Sequence, residues 1–200
     1  GGALPVHGGI LLSTERFNKI IEIDERNLQA TVEPGVINQV FRDAVEAKGL
    51  FYPPDPASRG SCFLGGNLAE NAGGPRAMKY GTTKDYILNC EVVLPSGEII
   101  WTGANVLKNS TGYNLTQLLI GSEGTLGVVT KIVFRLIPLP TKNLIMLVPF
   151  YSPEKACEAV SAVFRAGFTP SAMEFMERDA IDYVMQFVDV KIPVKDEHKA

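Results

Sequence analysis

Two glycine-rich stretches of this chain combine small residues with free backbone amides. One covers residues 65–74 (GGNLAENAGG) and follows a proline-rich segment at 53–58 (PPDPAS); the other covers 121–130 (GSEGTLGVVT). Glycine lets the main chain approach a ligand and adopt positive φ. Successive N–H groups in such turns form concave sites for phosphate. The two stretches therefore predict a backbone-lined site for a large anionic ligand such as a nucleotide cofactor.

The same residues also suit plain structural loops with tight turns, and composition alone does not separate the two interpretations. Two features favour the ligand. The prolines at 53, 54 and 56 stiffen the loop, which lowers the cost of ordering a preformed site. Asn67, Glu70 and Asn71 add polar side chains to the first stretch. In the second stretch, Glu123 can orient its loop by accepting backbone N–H bonds.

The usual nucleotide fingerprints are missing from the sequence. It contains neither a G-x-G-x-x-G after a strand nor a G-x-x-x-x-G-K-[ST]. A Rossmann domain or a P-loop has little support, so a bound nucleotide requires a different scaffold.

Isolated side chains carry weaker signals. Arg76 and Lys79 follow the Gly73-Gly74 turn directly and can face either a ligand or solvent. Tyr113 can pack in the core or present its hydroxyl to a ligand. The three cysteines are widely spaced, which suits free thiols in a reducing compartment, and no Cys/His cluster suggests a metal site.

The elements that position these residues are predicted as short strands and helices in the first 140 residues. Residues 86–94 and 98–101 flank Pro95-Ser96-Gly97, a strong hairpin signal. We predict strands at 20–24, 28–33 and 126–137, and helices at 36–48, 67–71 and 114–120.

The pattern changes near Pro140, where we place a domain boundary. Ser152 and Pro153 provide an N-cap and a first helical residue for a helix over 153–166. With strands at 144–150 and 172–176 and a helix at 178–187, the order β-α-β-α is typical of the opening of a ferredoxin-like domain.

The bulk composition excludes some classes of protein. A formal net charge of -3 over 200 residues argues against a nucleic-acid binder. No apolar run approaches the ~20 residues of a transmembrane segment. We expect an internal fragment of a longer cytoplasmic protein, either free or peripheral at the inner face of the membrane.

The ordered set of motifs resembles the FAD-binding PCMH-type domain of the vanillyl-alcohol-oxidase superfamily. Within it, the sequence is most similar to the branch that contains glycolate oxidase, D-lactate dehydrogenase and D-2-hydroxyglutarate dehydrogenase. The matching segments are residues 32–35, 53–58, 65–76, 79–83, 93–98 and 121–130.

The resemblance implies an α+β fold in two parts. Residues 1–140 would be a PCMH-type FAD-binding domain without its N-terminal subdomain, with Gly1-Gly2 ending its pyrophosphate loop. Residues 141–200 would begin the FAD-linked oxidase C-terminal domain, which binds substrate. The residues implied to bind FAD are Pro53, Pro54, Asp55, Pro56, Ser58, Gly65, Gly66, Asn67, Glu70, Asn71, Gly73, Gly74, Gly81, Glu123, Gly124, Gly127, Val128 and Val129. Arg76, Lys79 and Tyr113 are candidates for contact with substrate.

The implied activity is oxidation of a D-2-hydroxy acid of the glycolate or D-lactate type. Hydride would pass from the substrate to flavin N5, and electrons onward to a quinone, an iron–sulfur protein or a flavoprotein partner. The family's histidine-rich motif has no counterpart in residues 144–200, so no catalytic residue is assigned. Two alternatives remain: a non-catalytic electron-transfer or assembly subunit, and an NADPH-using reductase of the same fold. The chain is compatible with an oligomer.

Overall fold

The computed structural model describes residues 4–189, 192–195 and 197–200. The expectation for Gly1 and Gly2 lies outside these residues. The chain divides into two compact units, the first ending at Thr141 and the second starting at Lys142.

The first unit is built on a five-stranded antiparallel sheet, whose strands are β1 (Ile20–Asp24), β2 (Gln29–Val32), β4 (Ile87–Val93), β5 (Ile99–Trp101) and β6 (Val128–Arg135). Their order in the sheet is β1-β2-β6-β4-β5. The hairpin predicted around Pro95-Ser96-Gly97 is confirmed, since β4 pairs with β5, and β1 and β2 form a second antiparallel pair. In the first turn, the Asp24 carboxylate accepts hydrogen bonds from the backbone and side-chain nitrogens of Asn27.

The predicted strand at 126–137 is split into two elements. After β6, Leu136 donates its backbone N–H to the carbonyl of Leu28. Strand β7 (Ile137–Pro138) then pairs with the short β3 (Leu50–Phe51) in a separate two-stranded sheet.

The helices of the first unit are α1 (Asn38–Glu46), α2 (Leu64–Glu70), α3 (Ala77–Tyr80) and α4 (Leu115–Leu119), with a 3₁₀ turn at Thr83–Tyr86. The predicted helix at 67–71 is wrong at its start, because α2 begins three residues earlier. Leu64 and Gly65 donate backbone N–H groups to the carbonyls of Val36 and Pro34. These long-range bonds satisfy amides that a helix start leaves unpaired.

The core beneath this sheet is aromatic and aliphatic. The Tyr52 ring lies 4.8 Å from Phe134 and 5.2 Å from Phe41, measured between centroids. Leu64 and Leu68, four residues apart on one face of α2, are buried in the same cluster. The opposite face of α2, where Gly66 lies, is exposed.

The second unit contains helices α5 (Pro153–Arg165) and α6 (Arg178–Val184). The predicted cap is confirmed: the Ser152 hydroxyl accepts the N–H of Lys155 at 3.3 Å, and Pro153 opens α5. None of the described helices has the length and apolarity needed to cross a bilayer.

The two strands predicted for the second unit are wrong in the part of the chain that the structure describes. Residues 144–150 and 172–176 form no strand, and Leu144, Ile145 and Met146 are almost fully exposed. A strand needs a partner for its backbone groups, and local β propensity does not supply one. Only the end of the first segment is paired, where Phe150 exchanges backbone hydrogen bonds with Lys199 and Ala200.

Candidate functional site

The two glycine-rich stretches lie side by side although about fifty residues separate them in sequence. The backbone N–H groups of Gly121 and Glu123 donate to the carbonyls of Leu68 and Ala69, each at 3.0 Å. The last carbonyls of a helix have no intrahelical partner, so α2 gains partners here from the second stretch. Asn71 ends α2 with a φ of 51°, which turns the chain out of the helix.

The proline segment touches the end of the first stretch. Gly74 has a φ of +138°, and a Cβ built on it would overlap the backbone carbonyl of Asp55. Only glycine allows the two backbones to approach so closely. Three segments predicted from sequence to form one site are therefore adjacent in the structure.

The proline segment is partly interior. Pro53, Pro54 and Asp55 are buried, Pro56 is intermediate, and Ser58 is exposed. The first three thus shape the loop from inside, while Ser58 lies at the surface.

The Asp55 carboxylate organises a cluster of three arginines, of which only Arg76 was a candidate from the sequence. Oδ1 accepts hydrogen bonds from Arg42 Nη1 at 2.6 Å and Arg59 Nη1 at 3.1 Å, while Arg76 Nε lies 3.6 Å from Oδ2. A buried carboxylate is costly unless it is paired, and these guanidiniums supply the pairing. In the sequence, Arg42 could have indicated this cluster, because an arginine placed in a helix between the core residues Phe41 and Val45 needs a buried acidic partner.

Neighbouring glycines of α2 have opposite surroundings. A Cβ on Gly65 would lie 2.6 Å from the Pro34 Cβ, so this residue is glycine for packing. A Cβ on Gly66 would meet nothing within 4 Å. The next residue, Asn67, has a buried amide nitrogen without a hydrogen-bond partner among the described residues. The open surface of α2 is therefore at Gly66, where there is room for a ligand.

Polar residues after α2 fasten the following loop. Asn71 Oδ1 accepts the Thr82 hydroxyl at 2.9 Å and the Lys84 N–H at 3.0 Å. Gly81, with a φ of +83°, packs closely against Asp85, whose carboxylate accepts the Thr82 N–H at 2.8 Å. The side chain of Asn71 is therefore engaged in holding the loop. Gly73, between these contacts, makes ordinary van der Waals contact with its neighbours.

The second glycine stretch forms an exposed turn followed by a packed strand entry. Glu123 and Gly124 have φ values of 53° and 77°. The expectation that the Glu123 carboxylate accepts backbone N–H bonds is wrong within the described residues, since the residue contributes its own N–H instead. Gly127 packs on β4, where a Cβ would lie 2.7 Å from Val92 Cγ1, and Val128 and Val129 begin β6. Glu70, on α2, is exposed.

The candidate substrate-contacting residues separate into two places. The Arg76 guanidinium lies 5.3 Å from the Phe51 ring centroid, and the Lys79 ammonium 5.2 Å from that of Tyr80. Phe51 and Tyr80 pack edge to face, so the two cations lie over one aromatic pair. Tyr113 does not pack in the core; it is 95% exposed and lines a shallow cavity of about 160 Å³ between residues 87–88 and 102–117.

The described residues contain no group of three or more His, Cys, Asp or Glu side chains arranged to hold a metal ion.

The chain matches two known families. It matches the FAD binding domain over residues 1–103 and the C-terminal domain of FAD linked oxidases over residues 139–200.

Curated relatives match along nearly the whole chain. It is 44% identical to the glycolate oxidase protein GlcD of Bacillus subtilis, covering 96% of this chain and 41% of that protein. It is 41% identical to a D-lactate dehydrogenase of Anaerostipes hadrus, covering 98% and 41%. It is 39% identical to a D-2-hydroxyglutarate dehydrogenase of Xanthomonas citri pv. viticola, covering 92% and 39%. The chain thus spans about two fifths of the length of these relatives.

A solved structure of an alkyldihydroxyacetonephosphate synthase has the same fold over most of the chain. The TM-score is 0.66 at 26% sequence identity, covering 79% of this chain and 28% of that protein.

Proposed function

Because the chain belongs to the family of FAD binding domains found in FAD-linked oxidases, we propose that it forms the cofactor-binding part of an oxidoreductase acting on a D-2-hydroxy acid. The family match confirms the PCMH-type fold and FAD as the cofactor. One structural observation carries the proposal: the proline segment and both glycine stretches meet around α2, and the exposed face of α2 is left without side chains at Gly66.

The division of the chain into domains is part of this proposal. The first unit would hold FAD, and residues 141–200 would begin the domain that binds substrate. The start of the oxidase C-terminal match at residue 139 and the start of the second compact unit at Lys142 support that division.

The surroundings of each residue suggest two roles in holding FAD. Gly66, Ser58 and the turn at Glu123-Gly124 are exposed, so their backbone groups would contact the cofactor. Pro53, Pro54, Gly65, Gly74, Gly81 and Gly127 would instead shape the site, because they pack against neighbouring backbone or core. Asn67 would help to shape the site from inside, because it is buried and its amide nitrogen has no hydrogen-bond partner among the described residues.

The substrate class follows from the relatives and from the cations at the site. Glycolate, D-lactate and D-2-hydroxyglutarate, named in the relatives, all carry a carboxylate beside the hydroxyl carbon. Arg76 and Lys79, on the aromatic pair Phe51 and Tyr80, are the candidates to bind that carboxylate. Tyr113, which lies in a separate place, is exposed and is a further candidate for contact with substrate. FAD supplies the hydride acceptor when bound. Electrons would then pass to a quinone or a protein acceptor.

The test is cofactor identification followed by substrate screening of the intact protein. We expect purified protein to carry FAD, identified by mass spectrometry after acid release, and to reduce an artificial dye with one of the three hydroxy acids. L-lactate serves as the stereochemical control. Protein that neither retains FAD nor is reconstituted by it contradicts the proposal. Protein that holds FAD but is reduced only by NADPH, or by no donor, supports the reductase or the non-catalytic subunit instead.

A further inference from the structure

Three arginines meet at a single buried carboxylate beside the candidate FAD site. Arg42 comes from α1, Arg59 from the turn after the proline segment, and Arg76 from the loop before α3. One further carboxylate is near, Glu46, whose Oε1 lies 3.7 Å from Arg42 Nη2. Among the described residues, three positive charges therefore face two negative ones, which leaves the cluster with one uncompensated positive charge.

The arginines differ in how many of their donors are used. Arg42 is buried and contacts both carboxylates. Arg59 contacts Asp55 and also donates from Nε to Gln39 Oε1 at 3.1 Å. Among the described residues, the only ion-pair partner of Arg76 is Asp55, which faces Nε, and neither of its Nη groups has a hydrogen-bond partner. A guanidinium offers five N–H donors in a fixed plane, so most of those of Arg76 remain unused.

Two contacts restrict the orientation of that guanidinium. Asp55 Oδ2 lies 3.6 Å from its Nε, at ion-pair distance, and the Phe51 ring lies under its face at 5.3 Å. The side chain is 30% exposed, so it reaches solvent from a constrained position. Constrained, partly desolvated guanidinium groups bind anions more strongly than mobile surface cations, because less entropy is lost on binding.

We propose that Asp55 is a positioning residue that holds Arg76 ready to bind an anionic group at the FAD site. The proposal rests on the proposed function. The anion is either the pyrophosphate of FAD or the carboxylate of the hydroxy acid, since both accept hydrogen bonds from a planar guanidinium. Arg59 shares the same carboxylate but holds the turn of its own segment, so it has no such role.

The experiment compares Arg76→Gln with the matched control Arg59→Gln in the intact protein. Each variant loses one partly exposed partner of Asp55 and keeps the Arg42 pair, so both should fold. We expect Arg76→Gln to raise either the dissociation constant for FAD or the KM for the hydroxy acid by about 10- to 100-fold. That is the range for loss of a hydrogen bond to a charged group. Arg59→Gln should leave both constants within about threefold.

The two measurements distinguish the source of the anion. If Arg76→Gln raises the dissociation constant for FAD, the anion is the pyrophosphate. If it leaves that constant unchanged but raises the KM, the anion is the substrate carboxylate. Equal FAD affinity and equal KM in the two variants overturn the proposal. Wild-type protein that binds no FAD instead overturns the proposed function, which is a separate result.

The positioning role of Asp55 is tested by Asp55→Glu, which keeps the charge that buried Arg42 needs but moves the carboxylate by one methylene. We expect Asp55→Glu to raise the same constant that Arg76→Gln raises, either the FAD dissociation constant or the KM. The double variant, Asp55→Glu with Arg76→Gln, should raise that constant no further than Arg76→Gln alone. Losses that multiply in the double variant, or a lower thermal stability with unchanged FAD affinity and KM, show a merely structural role and overturn the assignment.

Discussion

Replacement of Gly66 tests whether the open face of α2 receives FAD. Gly66 is exposed in the first turn of α2, its φ lies outside the positive range, and a Cβ there meets nothing within 4 Å. The protein alone therefore has no reason to require glycine at this position. The fold should therefore tolerate alanine at this position. If alanine weakens FAD binding, the reason is a ligand that packs against this face.

The expected effects on folding and on binding have opposite signs. Glycine in a helix costs about 0.5–1 kcal/mol relative to alanine, so Gly66→Ala should stabilise the FAD-free protein by about that amount. Forcing a methyl group into a packed contact costs about 1–3 kcal/mol. At about 1.4 kcal/mol per factor of ten, FAD binding should weaken about 5- to 150-fold. Gly66→Val should weaken it further while leaving stability near that of the wild type.

The assay is an FAD titration of the FAD-free protein, paired with thermal unfolding of the same samples. Gly60→Ala is the matched control, because Gly60 is also exposed, with open space around it and ordinary φ. Its FAD affinity should equal that of the wild type. If both Gly66 variants bind FAD normally, α2 does not face the cofactor and the proposed site is wrong.

Three further outcomes are expected. Gly74→Val should lower the melting temperature even without FAD, because φ is +138° and the side chain would overlap the Asp55 carbonyl; normal melting with lost FAD would show instead that the residue only faces ligand. Burial raises the pKa of the Cys90 thiol to about 12, so a thiol reagent should label exposed Cys157 in the native protein and Cys90 only after denaturation. Prompt native labelling of Cys90 would contradict its burial. Burial also raises the pKa of Glu91, but hydrogen bonds from Lys131 and Thr130 outweigh it and hold the pKa below 4.5. The ionised Glu91 carboxylate therefore stabilises the fold above pH 4.5, and this stabilisation is lost as the pH falls through the lowered pKa. Glu91→Gln should lower the melting temperature at neutral pH but not at acid pH. An equal decrease at both pH values would refute this role of the carboxylate.

Features that depend on neighbouring residues were predictable from the sequence. The turn at Pro95-Ser96-Gly97 and the cap at Ser152 form as expected because their chemistry is local. The strands expected at 144–150 and 172–176 do not form in the described residues. Pairing of strands is a long-range property, which local β propensity does not determine.

The start of α2 shows the same limit within the site. No local signal in residues 64–66 specifies a helix there, since two of the three are glycine. The backbone bonds to Val36 and Pro34 decide it.

The sequence by itself determined which family the chain belongs to, and it predicted that the glycine and proline segments hold the nucleotide cofactor. Tertiary structure alone decided what each residue faces. Gly65 and Gly66 are identical neighbours, yet one packs on Pro34 and the other is open, because a helix turns adjacent residues by about 100° to different surroundings. Likewise, Asp55 was interpreted as a cofactor contact, and the fold places it among Arg42, Arg59 and Arg76. A buried charge must find its partners wherever folding brings them, and spacing along the chain does not record that.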